Sequence, residues 1–378
     1  MPQTRVVHLI ESLEPYGAER LMSSLAIGLR DAFIPTVLTF YGGELEGLLA
    51  KAAIPVRIMV TGPPGRIGIC KRFELCRQAL AELRPDLVHT YLIYCDVCGR
   101  LAAHSLGIPT VCHLQGWNGK AGSLAYRLGY RIAHSKRSRV IAVSDGVARK
   151  FHECVGILPR TIYNAVDEER LLADAQSPVD TRAELGLPPN AFVVATVARL
   201  VELKNHRALL RCAARVCERT DDVHFICAGD GPLLDELVEM RDRLGLTDRV
   251  HFPGYCQEVG RLLRDADVFC LMSRGEGFGL GVVEAMFMKC AVVATDVRGV
   301  NEVVQEGVQG FLVPDDDDEA AANRLLELHS DRSLVERQAE AGHTRAQEAF
   351  SREALLRNIA GVYEELLSNT RKQRGHRE

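Results

Sequence analysis

Short β-branched runs alternate with amphipathic stretches along most of this 378-residue chain, and the alternation restarts once. RVVHLIES, FIPTVLTFY, IPVRIMV, DLVHTY, PTVCHLQ and SRVIAVS read as strands. Between them AERLMSSLAIGLRD, ELEGLLAKA and KRFELCRQALAELR read as helices, with Leu21, Leu25 and Leu29 four apart on one face of the first. This is the pattern of βαβ units, whose parallel sheet is covered by helices on both faces.

A polar stretch with Pro178, Pro188 and Pro189 interrupts the series and reads as a linker with a short helix. Then AFVVATVARL, VHFICAG, RVHFPGY, DVFCLMS, CAVVATD and GFLVPD supply a second set of strands. HRALLRCAARVCERT, PLLDELVEMRDRLGL and VGRLLRDA supply its helices. The expected organisation is therefore a domain over residues 1–176, a second over 177–350, and a helix and tail over 351–378 that crosses back to the first. Leu355, Ile359, Tyr363 and Leu366 share one face of that helix, and SNTRKQRGHRE reads as a frayed end. Two successive doubly wound sheets imply a cleft between them, with ligands outside the carboxyl ends of the strands.

Composition narrows the function classes. At 47% apolar and 25% charged residues, the chain holds enough apolar mass to exclude disorder as its dominant state. No run of 18 apolar residues suggests a membrane span, and the first residues lack the pattern of a signal peptide, so a cytoplasmic location is expected. A net charge of -4 argues against bulk nucleic-acid binding. Residues 1–176 hold 21 Lys+Arg and 16 Asp+Glu, so this half is the basic one. The 12 cysteines mostly sit in apolar runs, as small buried hydrophobes in a reducing compartment. Cys95 and Cys98 form one CxxC with no second pair at zinc spacing, so a structural role is expected. The acidic run Asp315 to Asp318 reads as a solvated loop and helix start rather than a cation site.

The segment SRGEGFGLGVVEAM follows a strand and opens a helix. Gly275, Gly277, Gly279 and Gly281 let a backbone approach a ligand closely. The amides of Phe278, Gly279 and Leu280 would then stand at a helix amino terminus, which favours a phosphate. Glu276 and Glu284, eight apart, suit sugar hydroxyls such as a ribose diol rather than phosphate, which they would repel. Taken alone, the segment is equally a glycine-rich turn with two solvated glutamates. In VARLVELKNH, Arg199 at a strand end and Lys204 in the loop beyond add two cations that suit a diphosphate. Gly229 and Gly231 permit a tight turn, but their G-x-G lacks the third glycine of a dinucleotide fingerprint.

ARLVELKNH, GDGPLLDEL, DRVHFPGY and EGFGLGVVEAM, in this order and spacing, closely resemble the retaining glycosyltransferases of family 4. YGAER, RPDLVHTY, AVSDGVA and YNAVD match the same family more loosely. The resemblance implies the α/β GT-B fold: two Rossmann-like domains facing across a cleft, the first for acceptor and the second for nucleotide-sugar donor. It implies that Arg199 and Lys204 bind the donor phosphates, Glu284 the ribose and Glu276 the transferred sugar. It places Gly277, Phe278, Gly279 and Leu280 around the distal phosphate and sugar, and Gly17 near the diphosphate from the other domain. His113 matches a histidine that faces the sugar, with a positional or acid–base role, and His89 is a weaker candidate.

Three departures stand out: Tyr16 beside Gly17, Arg298 beside Gly299 ahead of Glu302, and Arg352 in the tail, where the family carries glycine, glycine and tryptophan respectively. The expected activity is transfer of a sugar from a UDP- or GDP-type donor to a carbohydrate, lipid-linked or small-molecule acceptor, with retention. No cofactor and no metal are expected, since two cations and a helix end can stabilise the leaving diphosphate. Asp265 and Asp267 form an Asp-x-Asp, but the family shows no metal there. Leu124 and Leu128 lie on an expected helix among Lys120, Arg127, Arg131, Lys136, Arg137 and Arg139, which allows peripheral contact with an anionic membrane as well as a solvated basic helix. The rival readings are a nucleotide-sugar epimerase of the same fold and a non-catalytic nucleotide-sugar binding protein.

Overall fold

The computed structural model describes residues 4–62, 67–116 and 123–375, with side chains through residue 369. The chain divides into two units: residues 1–164 with 355–378, and residues 165–354. The division falls before the helix Glu168–Ala175, because that helix packs against Val259–Arg264 of the second unit.

The first unit is built on β1 (Arg5–Ile10), β2 (Ile34–Thr39), β3 (Val56–Ile58), β4 (Leu87–Tyr91), β5 (Thr110–Leu114), β6 (Ser138–Ala142) and β7 (Arg160–Thr161). Every pairing is parallel, in the order β3-β2-β1-β4-β5-β6-β7. The order reverses between β1 and β4, the place where such sheets open a crevice at their carboxyl ends. Val7, Leu9, Leu38, Phe40, Val88, Cys76 and Leu80 form one apolar layer of the core. A layer of rings is buried as well: His8 of β1, His89 and Tyr91 of β4, and His113 of β5. Tyr363, from the helix Arg352–Gly375, completes it, its hydroxyl 2.6 Å from His89 Nδ1. That helix runs through Gly375, and the last three residues of the end expected to fray lie outside the described residues.

The second unit uses β8 (Phe192–Val197), β9 (Val223–Ala228), β10 (Val250–His251), β11 (Val268–Leu271), β12 (Ala291–Thr295) and β13 (Gly310–Val313). Its order, β10-β9-β8-β11-β12-β13, is again wholly parallel and reverses between β8 and β11. Its core is aliphatic and aromatic: Phe192, Val194, Phe225, Val268, Val293 and Leu325 are all nearly or fully buried. Two Rossmann-like parallel sheets of this order are the two domains of the GT-B fold. Among the described residues no helix is long and apolar enough to cross a membrane.

Candidate functional site

The second unit brings its expected site residues to the carboxyl ends of β8 and β11. Arg199 follows β8 by two residues and is exposed. Lys204 ends a 3₁₀ turn, Glu202–Lys204. The next residue, Asn205, is left-handed at φ 49° and donates from its side-chain amide to Asp316 Oδ1 at 3.1 Å, which fixes the turn. The loop after β11 meets this turn: the Arg274 amide donates to the Leu203 carbonyl at 2.9 Å. Lys204 Nζ reaches Glu276 Oε1 at 2.5 Å. Ser273 Oγ donates to the same oxygen at 2.7 Å, and Thr295 Oγ1 donates to the Ser273 carbonyl. Glu276 is thus anchored through Oε1, while Oε2 makes no hydrogen bond to a described residue.

Beyond Glu276 the backbone passes through Gly277 and the buried Phe278, whose ring meets Phe350 edge-on at 5.4 Å. Gly279, at φ 79°, then starts the helix Leu280–Phe287. No side chain caps that helix, and a helix start of this kind suits an anion. Glu284 lies half-buried inside the helix, one turn on. The loop after β12 supports the glycine segment from behind. A Cβ built on Gly299 would come within 2.9 Å of the Glu276 carbonyl and 3.0 Å of the Phe278 nitrogen. Chemically, this end of the sheet offers two cations, a helix terminus and two carboxylates on one crevice.

The first unit treats its candidates differently. Gly17 opens the helix Gly17–Gly28, behind the exposed Tyr16. Its φ is ordinary, and a Cβ there would meet nothing within 4 Å, so neither strain nor packing demands glycine. His113 is not at an open strand end. It is fully buried within β5, 5.3 Å from the His89 ring, and neither ring nitrogen has a partner among the described residues. Burial pushes its imidazole down to about 3 and drives His89 well below its usual value, so both stay neutral. The polar group just past β5 is Gln115, whose side-chain nitrogen is buried without a hydrogen-bond partner among the described residues.

Other charged motifs turn out to be structural. Asp317 caps the helix Asp318–Ser330, while Asp316 and Asp318 bind Arg211 at 2.8 Å each and Asp318 binds Arg215 at 2.7 Å. The acidic run is therefore a clamp on the helix His206–Cys217, and through Asn205 it steadies Lys204. Asp265 and Asp267 lie at the amino end of β11, opposite the site, where they bind the Thr181 and Val193 amides at 2.9 and 2.8 Å. No group of three metal-ligating side chains occurs among the described residues. Cys95 and Cys98 are buried in a wide π-helical turn, Cys95–Gly99, with their thiols pushed up by burial. Lys120 lies outside the described residues.

Comparisons with known proteins place the chain in a family. The family described as glycosyl transferases group 1 matches residues 180–345, and glycosyltransferase family 4 matches residues 15–170. An N-acetyl-alpha-D-glucosaminyl L-malate synthase of Bacillus anthracis is 26% identical over 291 residues, 75% of each chain. An Escherichia coli UDP-Gal:alpha-D-GlcNAc-diphosphoundecaprenol alpha-1,3-galactosyltransferase is 28% identical over 68% of this chain and 69% of its own. The crystal structure of Anabaena Alr3699/HepE in complex with UDP and glucose superposes with a TM-score of 0.84, at 26% identity, over 96% of this chain and 100% of that one.

Proposed function

The chain belongs to the family 4 glycosyltransferases of the GT-B fold, and from that premise we propose that it moves a sugar from a UDP- or GDP-type donor to an acceptor hydroxyl with retention of configuration. It is a glycosyltransferase of glycan biosynthesis. The observation that carries the finer reading is the meeting of Lys204 and Glu276 at 2.5 Å beside the uncapped helix at Leu280. That pair joins the two loops of the β8/β11 crevice into one seat for a sugar diphosphate.

In the reaction the bond from the anomeric carbon to the diphosphate breaks, and a bond to the acceptor oxygen forms on the same face. The acceptor proton passes to a phosphate oxygen of the leaving group. Negative charge grows on that group, where Arg199, Lys204 and the helix amides stabilise it. Glu276 Oε2 holds a hydroxyl of the transferred sugar, and Glu284 holds the ribose. Because the chain supplies the positive charge, the scheme needs neither metal nor cofactor. His113 has no exposed surface, so its part is in packing and no proton is routed through it.

The test is incubation with UDP- and GDP-sugars, with and without a chelator, following nucleotide release and product configuration. Acceptor-dependent release that survives the chelator supports the reading. Conversion of the donor sugar without an acceptor would mark an epimerase, and binding without release a non-catalytic protein.

A lipid-linked acceptor is the partner we favour. The helix Leu124–Ile132 exposes Leu124 (78%), Leu128 (54%) and Ile132 (61%) in one apolar ridge, and the Escherichia coli relative is named for a diphosphoundecaprenol acceptor. Arg127 and Arg131 turn away from the ridge, donating to the Cys154 and Val155 carbonyls at 2.5 and 2.7 Å. Contact with an anionic membrane then rests on the apolar ridge with the exposed Lys136 beside it. Flotation with phosphatidylglycerol vesicles should be lost when Leu124, Leu128 and Ile132 are all changed to Ser. Equal flotation of that variant would remove the membrane from the account.

A further inference from the structure

We propose that Arg298 is a third cation for the donor diphosphate and acts on its distal phosphate. This rests on the nucleotide-sugar reading above. Arg298 lies in the loop after β12, at the carboxyl edge of the second sheet. It is exposed, and it forms no hydrogen bond or ion pair with any described residue. The other cations beside the glycine segment differ: Lys204 is paired with Glu276 at 2.5 Å, and Arg274 lies 3.7 Å from Asp316.

Its position is fixed by its neighbours. Gly299, at φ 92°, lies so close to the Glu276–Phe278 backbone that a Cβ would come within 3.0 Å of three of its atoms. Val300 packs on Gly279, its Cγ2 3.3 Å from where a Cβ would stand. The loop that carries Arg298 is therefore pressed against the residues that start the helix Leu280–Phe287. A long guanidinium rooted there reaches the far phosphate of a ligand seated on that helix end, rather than the nucleoside. Guanidinium binds phosphate oxygens in pairs, so this contact is stronger than a point charge would give.

The experiment is calorimetric titration of the full chain with UDP and with UMP, and with GDP and GMP, comparing wild type, Arg298→Gln and Lys204→Ala. The surface position of Arg298 leaves folding undisturbed, which an unchanged Tm of R298Q verifies. The expected result is roughly tenfold weaker binding of the diphosphate by R298Q, with the monophosphate changed less than about twofold. Arg298→Lys, which keeps the charge but not the paired donors, should recover only part of the diphosphate affinity. Equal affinity of R298Q and wild type for the diphosphate, or an equal loss for mono- and diphosphate, overturns the assignment. Should K204A lose diphosphate binding while R298Q keeps it, only this inference falls. Should the wild type bind no diphosphate, the donor reading falls with it.

Discussion

The two units share a strand order, yet they fill and use their sheets in opposite ways. The first packs imidazoles and phenols, His8, His89, Tyr91, His113 and Tyr363, into its interior. The second packs Phe192, Val194, Val268 and Val293 in the comparable layer and keeps Arg199, Lys204, Glu276 and Glu284 for the carboxyl edge. Strand order alone therefore does not place chemistry. In the first unit the candidate histidines sit within strands and serve the core; in the second the candidate charged residues lie in the loops and the helix that follow the strands.

The largest test of that contrast is Lys204→Ala against His113→Gln. Loss of Lys204 should lower kcat by about 100-fold or more, as removal of a preorganised transition-state donor does. H113Q should alter kcat far less and show its effect in stability. Equal losses in kcat would erase the distinction between a site-bearing and a core-bearing set of polar residues.

Acid separates the units next. An unfolded histidine takes up its proton near pH 6.5, whereas burial holds His8 and His113 at about 3. Stability from these groups is full above pH 6.5 and falls as pH drops from there toward 3, by about 1.4 kcal/mol per pH unit for each histidine. The second unit has His206 and His224 held at about 4 by burial, a smaller shift. Hydrogen exchange on an acid series should show the first unit opening at higher pH; simultaneous opening would contradict this.

Two glycines sharpen the comparison further. Gly299→Ala places a Cβ 2.9 Å from the Glu276 carbonyl at φ 92°, so it should cost the second unit about 1–3 kcal/mol and impair transfer as well. Gly17→Ala meets nothing within 4 Å at a helix start, so it should leave the first unit's Tm unchanged or raise it by roughly 0.5–1 kcal/mol of stability. If Gly17 is kept for ligand approach, that variant should nonetheless bind donor less tightly. A variant that is both stable and fully active would free Gly17 from the site.

Most of the fold was legible because its signals are local. β-branched runs marked all the central strands, and the glycine segment with Arg199 and Lys204 follows the carboxyl ends of β11 and β8 as read. What escaped depended on distant partners. Lys204 and Glu276 are 72 positions apart, and Asn205 and Asp316 are 111. The four-acid run is the loop and helix start expected, but its pairing with Arg211 and Arg215 could not be read because they come from another helix. Arg127 and Arg131 looked like a basic face because the carbonyls they bind, of Cys154 and Val155, belong to another helix. His113 does lie near the end of β5, but its burial against His89 depends on a neighbouring strand.

Tyr363 carries a consequence for how this protein is made. Its hydroxyl bonds to His89 in the middle of the first sheet, yet it leaves the ribosome only after every residue from 165 to 354. The second unit, contiguous in the chain, can close while the first still waits for its last ring. A nascent chain stalled before residue 355 therefore holds every residue of the second unit but a first unit that still lacks Tyr363.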